Sequence, residues 1–310
     1  MLPDDSDVRI DAIELAYLGL EGAASAFAIR SSNPATRPVL IECGPMACVH
    51  RLMQGIAAPA ALFLTHIHLD HAGAAGHLSR DGCDIYVHPF GVKHLIDPAK
   101  LIASSRRVHG PAFDRWYGEP LACSPARVHG VDDGAVIERE GIRATALASP
   151  GHARHHHAWS IEDASRPSRH VTFAGDVAAM IVPQSRFISV PTPPPEFDHQ
   201  AWRRSLDRLS DVIRVREDRE LWLTHGGRVT DPIGHLQAAR RRLDDEVAVM
   251  QDLIESGIET EEAERRYGAW LWQEARTAGV DETRLRSFLG PAFWRMNLHG
   301  VRRWLDAPAG

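Results

Sequence analysis

The stretch Thr65-His66-Ile67-His68-Leu69-Asp70-His71-Ala72-Gly73 puts three histidines and a carboxylate within six residues, directly after the apolar run Ala60-Ala61-Leu62-Phe63-Leu64. The run reads as a buried strand. A strand alternates its side chains between faces, so His66 and His68 point the same way, while Asp70 and His71 begin a turn that reaches a second position. Imidazole nitrogens and carboxylate oxygens are the ligands that zinc and comparable divalent ions take from proteins. With 18 histidines in 310 residues some clustering comes by chance, and the alternative is a solvated, His-rich turn. The tight ladder of distances favours ligation, and the geometry suits two adjacent metal ions.

Further strand ends repeat the arrangement. Residues 142–148 read as a strand running into Ser149-Pro150-Gly151-His152, where Pro and Gly force a tight loop and aim His152 outward. His155, His156 and His157, which follow, have roles as supporting hydrogen-bond partners or solvated side chains. Residues 171–174 end in Gly175-Asp176, a pair that by itself is usually a turn, and residues 220–223 deliver Thr224-His225 to a Gly-Gly turn.

Between these ends the chain alternates strand and helix signals. Extended segments at 8–17, 24–30, 38–42 and 84–88, with short helices near 47–54 and 72–78, imply a layered α/β core. Residues 90–118, broken by Pro98, Gly110 and Pro111, read as two or three short helices covering the site. Segments 127–131, 135–138 and 142–148 form a meander. The run Pro191-Thr192-Pro193-Pro194-Pro195 is a rigid connector. Asp198 then caps a helix stapled by Phe197 and Trp202, whose apolar stripe is Trp202, Leu206, Leu209 and Ile213. Beyond Pro232 the chain reads as helical to its end, with a stripe of Leu236, Leu243, Val247, Met250 and Ile254, a second helix capped by Thr260, and shorter helices at 282–288 and 291–304. A boundary near 231 divides a metal-binding domain, 1–231, from a helical region, 232–310.

Composition removes several function classes. A net charge of −6 with interspersed signs gives no electrostatic footprint for nucleic acid. Cys43, Cys48, Cys83 and Cys123 form no CxxC pair, which argues against a thiolate zinc site and a disulfide framework, and they read as reduced and buried. The acidic N-terminus lacks the features of a signal peptide, and no apolar run approaches about 18 residues, so a cytoplasmic protein without a membrane partner is expected.

Over about residues 8 to 231 the chain resembles the metallo-β-lactamase fold hydrolase superfamily: His66-Ile67-His68-Leu69-Asp70-His71 matches its HxHxDH motif, and His152, Asp176 and His225 follow in the family's order. The resemblance implies an α/β fold, an αββα sandwich with the site at one edge, followed here by an all-helical appendage placed as in glyoxalase II. It implies that His66, His68 and His152 bind one metal, Asp70, His71 and His225 a second, and that Asp176 bridges them. His156 would support the site, and Asp70 would also act catalytically as a proton shuttle. Two divalent ions follow as cofactors, zinc first, with iron or manganese as alternatives. The implied activity is hydrolysis of a small-molecule carboxylic ester, thioester or lactone by a hydroxide held between the ions. Phosphodiester hydrolysis at the same centre and persulfide oxidation at a single iron are the alternatives. Phe293 and Trp294 are expected to wall the substrate pocket, unless the C-terminal helices form a homodimer interface.

Overall fold

Strands buried on both faces dictate the architecture. The computed structural model describes residues 8–165 and 170–307. Its first sheet holds β1 (Val8–Glu14), β2 (Ser25–Ser31), β3 (Val39–Ile41), β4 (Ala61–Phe63), β5 (Asp84–Val87) and β6 (Val128–Gly130) in that order. The pairs from β1 to β3 are antiparallel and those from β3 to β6 parallel. The second sheet is built from β7 (Val136–Arg139), β8 (Ile142–Ala148), β9 (His157–Asp163) and β10 (Val171–Phe173). A small hairpin of β11 (Met180–Ile181) and β12 (Ile188–Ser189) intervenes before β13 (Leu221–Leu223) and β14 (Gly227–Val229) complete that sheet. In it only β10 and β13 run parallel.

The two-residue period decides what each face does. Phe27, Ile29, Val39, Ile41, Ala61 and Phe63 on the first sheet meet Ile142, Ala144, Ala146, Trp159, Ile161 and Phe173 on the second, all buried. The Phe63 and Trp159 rings meet edge-on at 5.0 Å. Burying each large side chain of this set contributes about 1.5–3 kcal/mol. The intervening residues Ala28, Leu40, Leu62, Ile85 and Val87 turn outward and join the helices in a second apolar cluster. Helices therefore cover both sheets, which gives the αββα sandwich expected from the sequence.

The helices are α1 (Val49–Gly55), α2 (Leu69–Ala72), α3 (Ala75–Arg80), α4 (Pro89–Ile96), α5 (Ala99–His109), α6 (Phe113–Tyr117), α7 (His199–Arg216), α8 (Pro232–Glu255), α9 (Thr260–Thr277), α10 (Glu282–Phe288) and α11 (Pro291–Leu305). Asp198 caps α7 by accepting the Ala201 N–H, and Phe197 meets Trp202 at 6.1 Å, as the staple requires. Thr260 is not a cap: it is the first residue of α9, and the cap position falls to Glu259, which makes no side-chain capping bond. Strands β9, β11, β12 and β14 are absent from the sequence reading. A run of histidines opens β9 and Ser160, Glu162 and Asp163 interrupt its apolar pattern, while β14 has three residues, one of them Gly227. All four cysteines are free, and Cys48 is half-buried rather than buried. Among the described residues no helix is long and apolar enough to cross a membrane.

The C-terminal helices share the apolar cluster of α7 and the sheets, through Leu236, Leu243, Val247, Met250, Tyr267, Leu271 and Leu298. Two buried polar groups fix their registry. Glu246 accepts hydrogen bonds from Ser189, the Val190 N–H, Arg242 and Tyr267, and Asn297 bonds Thr192, Val190 and Tyr267. Helix α11 docks so closely that a Cβ at Gly300 would lie 1.7 Å from the Thr192 carbonyl oxygen. Gly300→Ala gains about 1 kcal/mol of helix propensity but forces an overlap that costs roughly 1–3 kcal/mol or more. The expected net result is a lower urea midpoint; an unchanged or higher one would show that the docking is loose.

Candidate metal centre

The strand ends do converge. Glu42 follows β3, Thr65–His68 follow β4, the loop with His152 follows β8, Asp176 follows β10 and His225 follows β13. Gly151 makes the β8 loop possible: it has φ +138°, and a Cβ there would lie 2.2 Å from the Trp202 backbone. Only glycine combines that dihedral with that approach.

Among the described residues three groups of donor atoms lie close enough to hold a metal ion: His66 with His68 and His152, Asp70 with His71 and His225, and Glu42 with His66 and His71. In the first, Nε2 of His66 and Nε2 of His152 each lie 2.9 Å from Nδ1 of His68. In the second, Nε2 of His225 is 3.3 Å from Nε2 of His71 and 3.5 Å from Asp70 Oδ2. A tetrahedral ion with bonds of about 2.0–2.1 Å has ligand–ligand edges of about 3.3 Å, so these separations suit donors that share an ion. Asp176 stands between the groups. Its Oδ1 lies 3.3 Å from His71 Nε2 and its Oδ2 3.4 Å from His152 Nε2. Oδ1 is buried and has no hydrogen-bond partner.

The surrounding bonds fix which ring nitrogen faces inward. Thr65 gives its hydroxyl proton to Glu42, so its oxygen accepts from His66 Nδ1. His152 Nδ1 donates to the Pro191 carbonyl, His225 Nδ1 to the Ala23 carbonyl, and His71 Nδ1 to Glu42. In its neutral form each of these four imidazoles keeps an Nε2 lone pair for the centre, as the hydrogen-bond network dictates. His156 backs the centre: it accepts the Asp176 N–H at Nε2 and bonds Ser149 through Nδ1. His155 and His157 are buried, not solvated; His155 pairs with Glu196 and His157 bonds the Val131 carbonyl.

Charge is arranged as a cation trap. Burial, followed by its histidine neighbours, holds His66 well below the usual imidazole range, and burial followed by His152 lowers His68 to about 3, so both stay neutral and able to ligate. Burial opposes a charge on His71 as well, but Asp176, Glu42 and Asp70 outweigh it and raise its pKa. Burial opposes the ionisation of Asp70 and Asp176, yet their histidine neighbours hold both carboxyls below the usual range.

Residues 21–225, well over half of the chain, match the family model of the metallo-beta-lactamase superfamily. The chain belongs to the metallo-beta-lactamase superfamily. It is 29% identical over 153 residues to an uncharacterized protein of Mycobacterium tuberculosis, covering 48% of this chain and 65% of that one. It is 26% identical over 176 residues to a metallo-beta-lactamase fold-containing protein of Sulfurisphaera tokodaii, covering 56% and 62%. The matches thus span just under two thirds of these curated relatives' own length. The crystal structure of an archaeal superfamily protein from Sulfolobus tokodaii shares the fold with a TM-score of 0.68 at 20% identity, over 94% of this chain and 98% of that one. A family protein from Thermus thermophilus does so at 0.64 and 19%, over 96% and 93%. A metallo-beta-lactamase from Cronobacter sakazakii scores 0.55 at 15%, over 78% of this chain and 95% of its own. Coverage above nine tenths is reached only if most of the C-terminal helices are matched, so the first two share them.

A cavity of about 600 Å³ opens over the candidate metal centre, lined by His68, Asp70, His152, Asp176 and His225 on its floor. Phe293 lines it too. Trp294 does not: its ring lies where a Cβ on Gly268 would stand, it meets Trp272 edge-on at 5.1 Å, and its Nε1 donates to the Leu289 carbonyl.

Glu42 is the site residue that sequence reasoning missed. It is fully buried at φ +59°, an uncommon conformation for a residue with a side chain. Donors from Thr65, His71 and Thr224 converge on its carboxylate. A carboxylate has about four acceptor positions, so Glu42 is occupied as a support for His71 and is a poor metal ligand. Its one sequence signal is an acid at the end of a buried strand. Glu42→Ala is expected to weaken binding of a metal ion at the His71 group about 10–100-fold, with a smaller effect at the His66 group. Competition titration with a chelating dye reads both; equal loss at the two groups would contradict the role given to Glu42.

Proposed function

We propose that this protein is a dinuclear metal-dependent hydrolase of small carboxylic esters, thioesters or lactones. The observation that carries the reading is Asp176, whose two oxygens face separate donor groups while Oδ1 has no other partner. His66, His68 and His152 would hold one ion, Asp70, His71 and His225 the other, and Asp176 would touch both. The nitrogen and oxygen donor set suits zinc, and iron or manganese less selectively. Two divalent ions, when bound, supply Lewis acidity and lower the pKa of water to near neutrality.

The chain's own residues do the rest. Trp202 packs edge-on against His152 at 5.6 Å and the Pro191 carbonyl holds its far nitrogen, so that ring cannot turn away. Asp70 is the more accessible carboxylate, with 21% of its side chain exposed against 5% for Asp176, and it faces the cavity where a proton can be taken up and passed on. The walls carry the apolar side chains Ile67, Phe90, Leu101, Phe288, Phe293 and Met296. Such walls suit the apolar body of an acyl compound. Of the three Lys and Arg side chains on the lining, Arg154 has Glu196 at 2.9 Å and Arg286 has Glu282 at 3.6 Å, which leaves Lys100 without a carboxylate neighbour among the described residues. A phosphodiester would find few free cations here, which is why the acyl class is preferred.

A panel of esters, thioesters, lactones and phosphodiesters on zinc-loaded and manganese-loaded protein tests the reading. Turnover of apolar acyl compounds is expected, lost on chelation and regained when the ion is returned. Phosphodiester turnover exceeding every acyl rate, or chelator-insensitive activity, would overturn it. Within the same panel, Phe293→Ala is expected to raise KM for the best acyl substrate several-fold at unchanged metal content, since it removes one apolar wall.

A further inference from the structure

One wall of the cavity carries a hydrogen-bonded chain that the metal donors do not use. Tyr17, from the turn after β1, and Tyr117, at the end of α6, both line the cavity beside Asp70 and His225. The Tyr17 ring lies 6.3 Å from that of His225. Tyr17 donates its hydroxyl proton to the Tyr117 oxygen at 3.0 Å, and the same oxygen lies 3.1 Å from Nε2 of His109, the last residue of α5. His109 Nδ1 is buried without a partner.

A phenol oxygen offers one proton and two lone pairs, and a neutral imidazole has one N–H and one bare nitrogen. Burial disfavours a charged His109, so a single ring proton has to be assigned. One lone pair of Tyr117 already takes the Tyr17 proton. If His109 Nε2 is bare, Tyr117 donates to it, and the only imidazole proton is stranded on buried Nδ1. If Nε2 carries the proton, it fills the second lone pair of Tyr117, Nδ1 becomes an unused acceptor, and the Tyr117 proton is left for the cavity. The second arrangement strands no donor. Buried orphan N–H groups are rarer than under-used acceptors, so the count favours it.

We propose that Tyr117 presents its hydroxyl proton to the acyl oxygen of the substrate, with Tyr17 and His109 as positioning residues that fill its two lone pairs and thereby fix its direction. The identity of the acceptor rests on the acyl-hydrolase reading above; the direction of the donor does not. A neutral donor held in place stabilises the charge that grows on that oxygen in the transition state, so it acts on kcat more than on KM. No bond to Tyr117 forms or breaks.

Two experiments separate the claims. Nitrogen-15 NMR of histidine-labelled, zinc-loaded protein reads the His109 tautomer without any substrate. A proton on Nε2 is expected, and a proton on Nδ1 would overturn the proposal whatever the enzyme hydrolyses. On the best acyl substrate, Tyr117→Phe should lower kcat/KM about 100-fold, mainly through kcat, at unchanged zinc content. His109→Gln, whose amide N–H can fill the same lone pair, should retain most of the rate that His109→Leu loses. A Tyr117→Phe enzyme equal to the parent would sink the donor role. A parent that turns over no acyl compound would instead overturn the hydrolase reading and the acyl acceptor with it, leaving the tautomer to decide the donor's direction.

Discussion

Five imidazoles and two carboxylates with their donor atoms turned toward one another make a cluster that burial alone would penalise. Taking an unpaired ion out of water costs several kcal/mol, and the inward Nε2 lone pairs of His66 and His152 both lie 2.9 Å from one atom, His68 Nδ1, which carries at most one proton to share between them. Positive charge between them resolves the conflict. The remainder of the site is arranged to keep the conflict in place: Thr65, Glu42, Ala23 and Pro191 each occupy the outward nitrogen of an imidazole, so none of those four rings can rotate to relieve it. The sandwich supplies these partners because strands from both sheets end at one edge, and their short, buried, two-faced character leaves their ends no freedom to spread.

The C-terminal helices belong to that support. Asn297 on α11 and Glu246 on α8 hold residues 189–192 by their backbone and hydroxyl groups, and Pro191 within that segment anchors His152. Packing far from the centre is thus coupled to the orientation of one donor. The same helices place Phe288, Phe293 and Met296 on the cavity wall. Positioning and lining are separable contributions of one region, since Asn297 and Glu246 are fully buried away from the cavity.

Local information explains what can be read before the fold is known. His66, His68, Asp70 and His71 lie within one short stretch, so strand alternation and one turn are enough to group them. His152, Asp176 and His225 are legible as strand-end residues, and their order along the chain carries the family resemblance. Glu42 is not legible, because its partners Thr65 and Thr224 are 23 and 182 residues away in sequence. Phe293 and Trp294 look equivalent as pocket residues until the helix is placed. Adjacent residues on a helix point about 100° apart, and nothing in the sequence says that the space beside Gly268 accepts the second. Thr260 stands one position inside the helix it is expected to cap, the usual uncertainty of a helix end.

The central claim is that two groups of donors, joined by Asp176, hold two ions. Anomalous scattering from crystals saturated with zinc, measured on both sides of the zinc edge, tests it most directly. Two peaks are expected, one among His66 Nε2, His68 Nδ1 and His152 Nε2 and one among Asp70, His71 and His225, each in contact with one oxygen of Asp176. A single peak in saturated protein, or a peak ligated by Glu42 in place of Asp176, would contradict the account.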